Sequence, residues 1–129
     1  ELGSLRMEAM REFLSDYPQG LKENRYVPGE LPLLPFQEKQ FDLALSSHFL
    51  FLYSRPLSLD FHLRSLEEIL RVAREVRIFP VLNLNGEPSE HLRPVMNHFE
   101  LTGYRVEKIR VSYEFQKGGN EMLRIREQI

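Results

Sequence analysis

Residues 41–53 read Phe-Asp-Leu-Ala-Leu-Ser-Ser-His-Phe-Leu-Phe-Leu-Tyr. Phe41 to Ser47 is mostly apolar and closes on two small polar residues, the pattern of a strand buried on both faces that stops at a site. A central parallel strand is the expectation. Downstream, Leu63, Leu66, Ile69, Leu70 and Ala73 form a helical stripe within Asp60 to Arg74, with Asp60 as N-cap and Glu67 and Glu68 facing water. Val76 to Leu82 reads as a second strand. Ser89 can cap a further helix carrying Leu92, Val95, Met96 and Phe99 on one face, and Gly103 stands where a left-handed closing residue is wanted. Ile109, Val111, Tyr113 and Phe115 alternate with polar residues, which marks a half-buried strand. Lys117-Gly118-Gly119-Asn120 then turns into Glu121 to Arg126, pairing back antiparallel.

Upstream of residue 41, Leu5, Met7, Met10, Phe13, Leu14 and Tyr17 recur at three- and four-residue steps, so an amphipathic helix spans Leu5 to Tyr17 and stops at Pro18 and Gly20. Asn24 to Val27 is a short extended piece. Pro28 to Pro35 is too rich in proline for regular structure. Strands alternating with helices define an α/β fold in one domain, residues 1–129, finished by a hairpin. Right-handed crossovers place helices on both faces and gather the strands' carboxyl ends into a ligand crevice.

Composition narrows the function. With 42% hydrophobic and 28% charged residues the chain is globular. A net charge of −2 gives no basic field for phosphates, which argues against a dedicated nucleic-acid binder. The absence of cysteine removes disulfides, thiolate nucleophiles and cysteine zinc sites. The longest apolar stretch, Phe49 to Tyr53, falls far short of the roughly 20 residues that cross a bilayer. No signal peptide is evident, so a soluble cytoplasmic location is the default.

Gly29-Glu30, Leu34-Pro35-Phe36 and Phe41-Asp42-Leu43-Ala44-Leu45 resemble the stretch of class I S-adenosylmethionine-dependent methyltransferases in which a Gly-Asp pair precedes Leu-Pro-Phe and a Phe-Asp opens strand four. Glu68-Ile69-Leu70-Arg71-Val72 is similar to the helix before strand five. Leu101-Thr102-Gly103-Tyr104 is similar to the Gly-Tyr before strand six. The resemblance runs over residues 20 to 126 and implies the carboxyl-terminal half of a Rossmann-like sheet, whose last strand is inserted backwards. None of the seven glycines forms the Gly-x-Gly of the family's cofactor-gripping turn. The expectation is therefore a fragment of a longer methyltransferase, inactive by itself. A natural remnant that no longer binds the cofactor is the alternative.

Carried over by position, Glu30 stands where the family's Asp bonds the adenine amino group, and Leu31 would lie against the adenine ring. The other reading of each is a solvated loop carboxylate and a core leucine. Ser46 and Ser47 end strand four beside the cofactor's methionine end. His48 is the one catalytic candidate, since an imidazole titrating near neutrality can take a proton from an attacking oxygen or nitrogen. A packed histidine bonded to backbone is the competing reading. His62, His91 and His98 read as surface residues, with the crevice the alternative for His62, and His91 and His98 are too far apart for a shared metal. Phe49 to Tyr53 would form either an apolar lid or core. Arg71, Arg74, Arg77, Arg105 and Arg110 read as solvated.

The function so read is methyl transfer from S-adenosylmethionine to an unidentified acceptor, a small molecule or one of another kind. The rival is a non-catalytic binding or scaffolding module on a degenerate version of the fold. Loss of the family's strands one and two would leave strand four as an apolar edge, which points to an edge-paired homodimer.

Overall fold

In a computed structural model that describes residues 1–128, backbone hydrogen bonding gives three helices and four strands among the described residues. The order is α1 (Leu2–Lys22), β1 (Phe41–Ser47), α2 (Leu59–Val72), β2 (Ala73–Phe79), α3 (Leu92–Leu101), β3 (Tyr104–Arg110) and β4 (Glu121–Glu127). The sheet runs β1-β2-β4-β3. Only β1 and β2 are parallel as hydrogen-bonded neighbours. The last strand enters antiparallel between β2 and β3, with Val76 opposite Ile125 on one side and Val106 opposite Ile125 on the other. The fold is thus mixed α/β, with β1, β2 and β3 running the same way through two helical crossovers, α2 and α3, and with β4 antiparallel between β2 and β3, so that one neighbouring pair is parallel.

Several boundaries differ from the sequence reading. α2 is capped by Ser58, whose Oγ accepts the Phe61 N–H at 3.0 Å. Asp60 lies inside the first turn, where its charge suits the helix dipole. At Ala73 the backbone swings straight into extended geometry, φ −135° and ψ 151°, so β2 begins three residues before Val76 and ends at Phe79. The third strand is Tyr104–Arg110 rather than 109–115. Gly103, at φ +97°, turns the chain out of α3 directly into it. Glu107 there receives Arg124 across the sheet at 2.6 Å. Residues 111–120 are the connection, closed by Val111 N–H to Asn120 O and Phe115 N–H to Gly119 O.

α2 packs on β2, α3 on β3, and the two helices on each other, so both lie on one face rather than on two. Leu66, Ile69 and Leu70 of α2, Val95 and Phe99 of α3, and Val76, Ile78, Leu123 and Ile125 of the sheet form the core between them. By register, the opposite face carries Leu43 and Leu45 of β1, then Glu75, Arg77, Arg124, Arg126, Glu107 and Arg105. Arg77 pairs with Glu75 at 2.7 Å, and Arg124, Arg126 and Arg105 converge on Glu107. No helix covers that charged lattice among the described residues.

β1 is not a doubly buried central strand. Among the described residues it is one of the sheet's two edge strands, the position that loss of the family's strands one and two would leave it in, and Leu45 is 73% exposed. Apolarity on both faces of a strand shows that it needs cover, not which element provides it. α1 likewise presents an apolar stripe to solvent, from Leu2 to Leu21. Pro18 and Gly20 lie within it rather than ending it. Its last turn is held by Arg25, which reaches Asp16 at 2.7 Å and Glu23 at 2.8 Å, and by the Tyr26 ring lying on Gly20. A Cβ at Gly20 would stand 2.3 Å from that ring. Asn24 to Val27, read as extended, forms a bend that joins no strand.

Candidate functional site

Residues 28–40 reach β1 by a route fixed from α2. Glu68, expected to face water, is turned inward with its side chain only 12% exposed. Its carboxylate accepts the Leu34 N–H at 2.8 Å and pairs with Arg71, whose guanidinium also donates to Phe36 O at 3.0 Å. Arg71 is therefore a loop anchor, not a solvated residue, and its hydrogen bond holds the Glu68 carboxyl below the usual carboxylate range. Lys39 adds a bond to Leu70 O at 2.6 Å and pairs with Glu127. Replacing Glu68 by alanine leaves the Leu34 N–H and Arg71 without this acceptor. The expected cost is about 1–2 kcal/mol of unfolding free energy, measured by urea titration.

This anchoring sets Leu31 beside the outer strand. Leu31, Leu34, Phe36, Leu43, Leu45 and Ser46 contribute to a hollow of about 340 Å³ against α2. Of the expected cofactor residues, Leu31 and Ser46 thus share one cavity although 15 positions apart. Glu30 is exposed and makes a bridge to Leu33, with the Leu33 N–H bonded to its carbonyl. It lies next to the hollow in the chain without lining it. Ser47 instead turns to His48, its Oγ hydrogen-bonded to Nδ1.

His48 leaves β1 at φ +61°, and its N–H donates to Phe79 O at 2.7 Å. This left-handed turn is uncommon for a residue with a side chain and sets the ring across the strand ends. The imidazole stands edge-on to Phe79 at 5.7 Å and to Phe115 at 4.4 Å, with Tyr113 5.8 Å from Phe79. Nδ1 is engaged by Ser47, while Nε2 makes no hydrogen bond among the described residues. The site thus has two parts, an apolar hollow along β1 and an aromatic cluster with one imidazole at the carboxyl ends of β1 and β2.

The segment between them belongs to the core. Leu50, Phe51 and Leu52 are buried, so 49–53 is not a lid. His62, read as a surface residue with the crevice as its alternative, is fully buried, accepting the Phe51 N–H at Nε2 (2.9 Å) and facing Ser58 O from Nδ1 at 2.8 Å. His91 is buried as well, its Nε2 2.9 Å from Ser54 O and 3.0 Å from Leu57 O. The two rings lie 4.7 Å apart. Burial pushes the His62 imidazole below its ordinary range. Sequence reasoning missed this pair. The available signal was the run of apolar residues 49–53, whose backbone needs buried partners once it leaves a sheet.

No family model matches the chain, and no solved structure does so significantly. The chain is similar to an uncharacterised protein of Methanocaldococcus jannaschii, 39% identical over 121 residues, which cover 94% of this chain and 52% of that protein. It spans about half the length of the curated relative it matches. Among the described residues, no helix is long and apolar enough to cross a membrane.

Proposed function

We propose that this chain forms the acceptor-facing half of an S-adenosylmethionine-dependent methyltransferase. The observation that carries the reading is the sheet order. β4 enters backwards between β2 and β3, as the resemblance requires of the family's last strand. The convergence of Leu31 and Ser46 on one hollow adds to it.

The residues present fit one end of the cofactor. The hollow offers an apolar wall for a flat ring, and Glu30 beside it offers a carboxylate for an amino group. The rest of the group, which the family holds by its Gly-rich turn, has no counterpart in this sequence. When bound, the cofactor supplies an electrophilic methyl group. In this reading Leu31 and Leu45 hold the ring by burying apolar surface, and Glu30 orients it by accepting a hydrogen bond. Ser47 fixes the His48 imidazole through Nδ1, which leaves Nε2 to take the proton released by a small-molecule acceptor. Alignment of donor and acceptor supplies much of the rate in such a reaction, so His48 is asked for only the proton.

Titrating the protein with S-adenosylhomocysteine while following backbone amides by NMR tests the cofactor part. The expected result is weak binding, in the millimolar range, with shifts confined to residues 30–34 and 43–47. Glu30→Ala should weaken it by about tenfold, the loss of one hydrogen bond at about 1.4 kcal/mol. Shifts elsewhere, or none at saturating ligand, would remove the assignment. The rival reading, a non-catalytic binding module, is favoured by the apolar stripe of α1, and it expects no shifts.

A further inference from the structure

At the amino ends of β1, β2 and β3, where β4 finishes, Asp42, Arg74, Glu75, Arg105, Arg126 and Glu127 contribute to a cavity of about 430 Å³. It lies at the opposite end of the parallel strands from His48 and the aromatic cluster. The carboxylates of this region are engaged at short range by other cations. Arg124 holds Glu107 at 2.6 Å, Lys39 holds Glu127 at 2.7 Å and Arg77 holds Glu75 at 2.7 Å. The three arginines of the cavity reach the same groups only at longer range, Arg74 to Glu127 at 3.5 Å, and Arg105 and Arg126 to Glu107 at 3.7 Å. Contacts of that length are ion pairs without a well-made hydrogen bond, so these guanidiniums keep donors to spare. Lys39, Arg74, Arg77, Arg105, Arg124 and Arg126 thus stand against four carboxylates, Asp42, Glu75, Glu107 and Glu127, in a chain whose net charge is −2. The local excess is positive.

From this imbalance we infer that the cavity binds a phosphate group, free or as the monoester of a small molecule. Each guanidinium presents a rigid fork of N–H donors that matches two oxygens of an oxyanion. Three forks on one cavity supply more donors than the single Glu107 oxygen shared by Arg105, Arg124 and Arg126 can accept. A phosphate meets that demand with three acceptor oxygens and close to two negative charges. Asp42 and Glu75 stand on the same cavity, so the further phosphates of an extended polyanion would meet like charge. A nucleic-acid backbone therefore fits less well than one phosphate, while the carboxylate of Asp42 can accept from a hydroxyl or amino group on the body of an ester. The inference does not rest on the methyltransferase reading, whose ligand contacts lie at residues 30–34 and 43–47.

Titration with inorganic phosphate and, separately, with ribose 5-phosphate, followed through the backbone amides by NMR at low ionic strength, tests the site. Both should bind with millimolar dissociation constants and shift residues 74–75, 105 and 126–127, which S-adenosylhomocysteine should leave in place. A tighter constant for the ester shows that the cavity also reads the body of the molecule, and equal constants show that it reads the phosphate alone; either result upholds a phosphate site. Arg105→Gln and Arg126→Gln should each weaken binding about tenfold, the loss of one charge-assisted contact. Both side chains lie outside the core and make only long ion pairs, so the variants should keep the circular dichroism spectrum. Arg64→Gln removes the same charge from α2, away from the cavity, and should leave both constants unchanged. The proposal is overturned by the absence of these shifts at on the order of 50 mM phosphate, far above a millimolar constant. It is overturned equally if Arg64→Gln costs as much as Arg126→Gln, or if a short single-stranded DNA binds at these residues more tightly than either phosphate.

Discussion

Replacing Phe51 by alanine is expected to remove about 3–5 kcal/mol of unfolding free energy, a large share of what a domain of this size possesses. Phe51 is fully buried, and its ring stacks on His62 at 5.4 Å and 29°. The alanine variant leaves a cavity among Leu50, Leu66 and the other core side chains. What makes the site diagnostic is its backbone. Phe51 sits at φ +68°, a left-handed conformation costing about 1–2 kcal/mol for any residue with a Cβ. Its N–H bond to His62 and the Ser54 N–H bond to its carbonyl hold it there. Glycine at this position loses the same ring but relieves the strain. Phe51→Gly should therefore be less destabilised than Phe51→Ala, by about 1 kcal/mol, the reverse of the order at an ordinary helix or strand position. Urea unfolding at one protein concentration measures both. A glycine variant less stable than the alanine one would show that the backbone turn contributes no strain.

The sequence carried the succession of elements because α2 and α3 bury clear 3.6-residue stripes and Gly103 stops α3 in the conformation only glycine takes easily. It misplaced the joins. Val72-Ala73-Arg74 contains no breaking residue, so nothing local says that helix gives way to strand at Ala73. The alternation of Ile109, Val111, Tyr113 and Phe115 is real, yet the ladder forms five residues earlier, over Tyr104–Arg110, where Glu107 meets Arg124 and Val106 meets Ile125. That choice depends on the partner strand, which local alternation cannot see. The exposure of β1 was legible only through the resemblance, which implied an apolar edge once strands one and two are missing; the strand's own apolar pattern says nothing of it. Leu31 and Ser46 could be named from the resemblance, but their shared hollow depends on the Glu68 and Arg71 anchor, and both residues looked like surface charges on a helix.

The histidines carry the last lesson, because they read as surface or crevice residues and the fold uses two of them as internal struts. Together they tie down residues 50–58, His62 from the Phe51 N–H and His91 from the carbonyls of Ser54 and Leu57. Ser54 and Ser89 complete the cluster with a shared hydroxyl bond. His62 can accept the Phe51 N–H at Nε2 only while that nitrogen is unprotonated, which places its single proton on Nδ1, toward Ser58 O.

A second large effect follows, a loss of stability on mild acidification. His62 is held below its ordinary value of 6.5, first by burial and further by the neighbouring His91, against the opposing hydrogen bond to Ser58. The unfolded chain therefore binds a proton on this side chain that the folded chain refuses. Stability contributed by the neutral state is complete above pH 6.5 and declines as the pH falls below it, by up to about 1.4 kcal/mol per pH unit for one proton. The carboxyls of Glu68, Glu107 and Glu127 are held below their ordinary value of 4.5, so their contributions are lost only at lower pH. Unfolding free energies measured between pH 7 and 5 thus leave these carboxyls out, and comparison with a His62 variant separates this imidazole from the other three histidines. His62→Gln keeps a side-chain acceptor within reach of the Phe51 N–H but cannot titrate. It should start less stable at pH 7 and show a shallower decline, the two curves converging toward pH 5. Parallel curves would mean that His62 is already free to protonate in the folded protein and that its place in the strut is not the one its two hydrogen bonds describe.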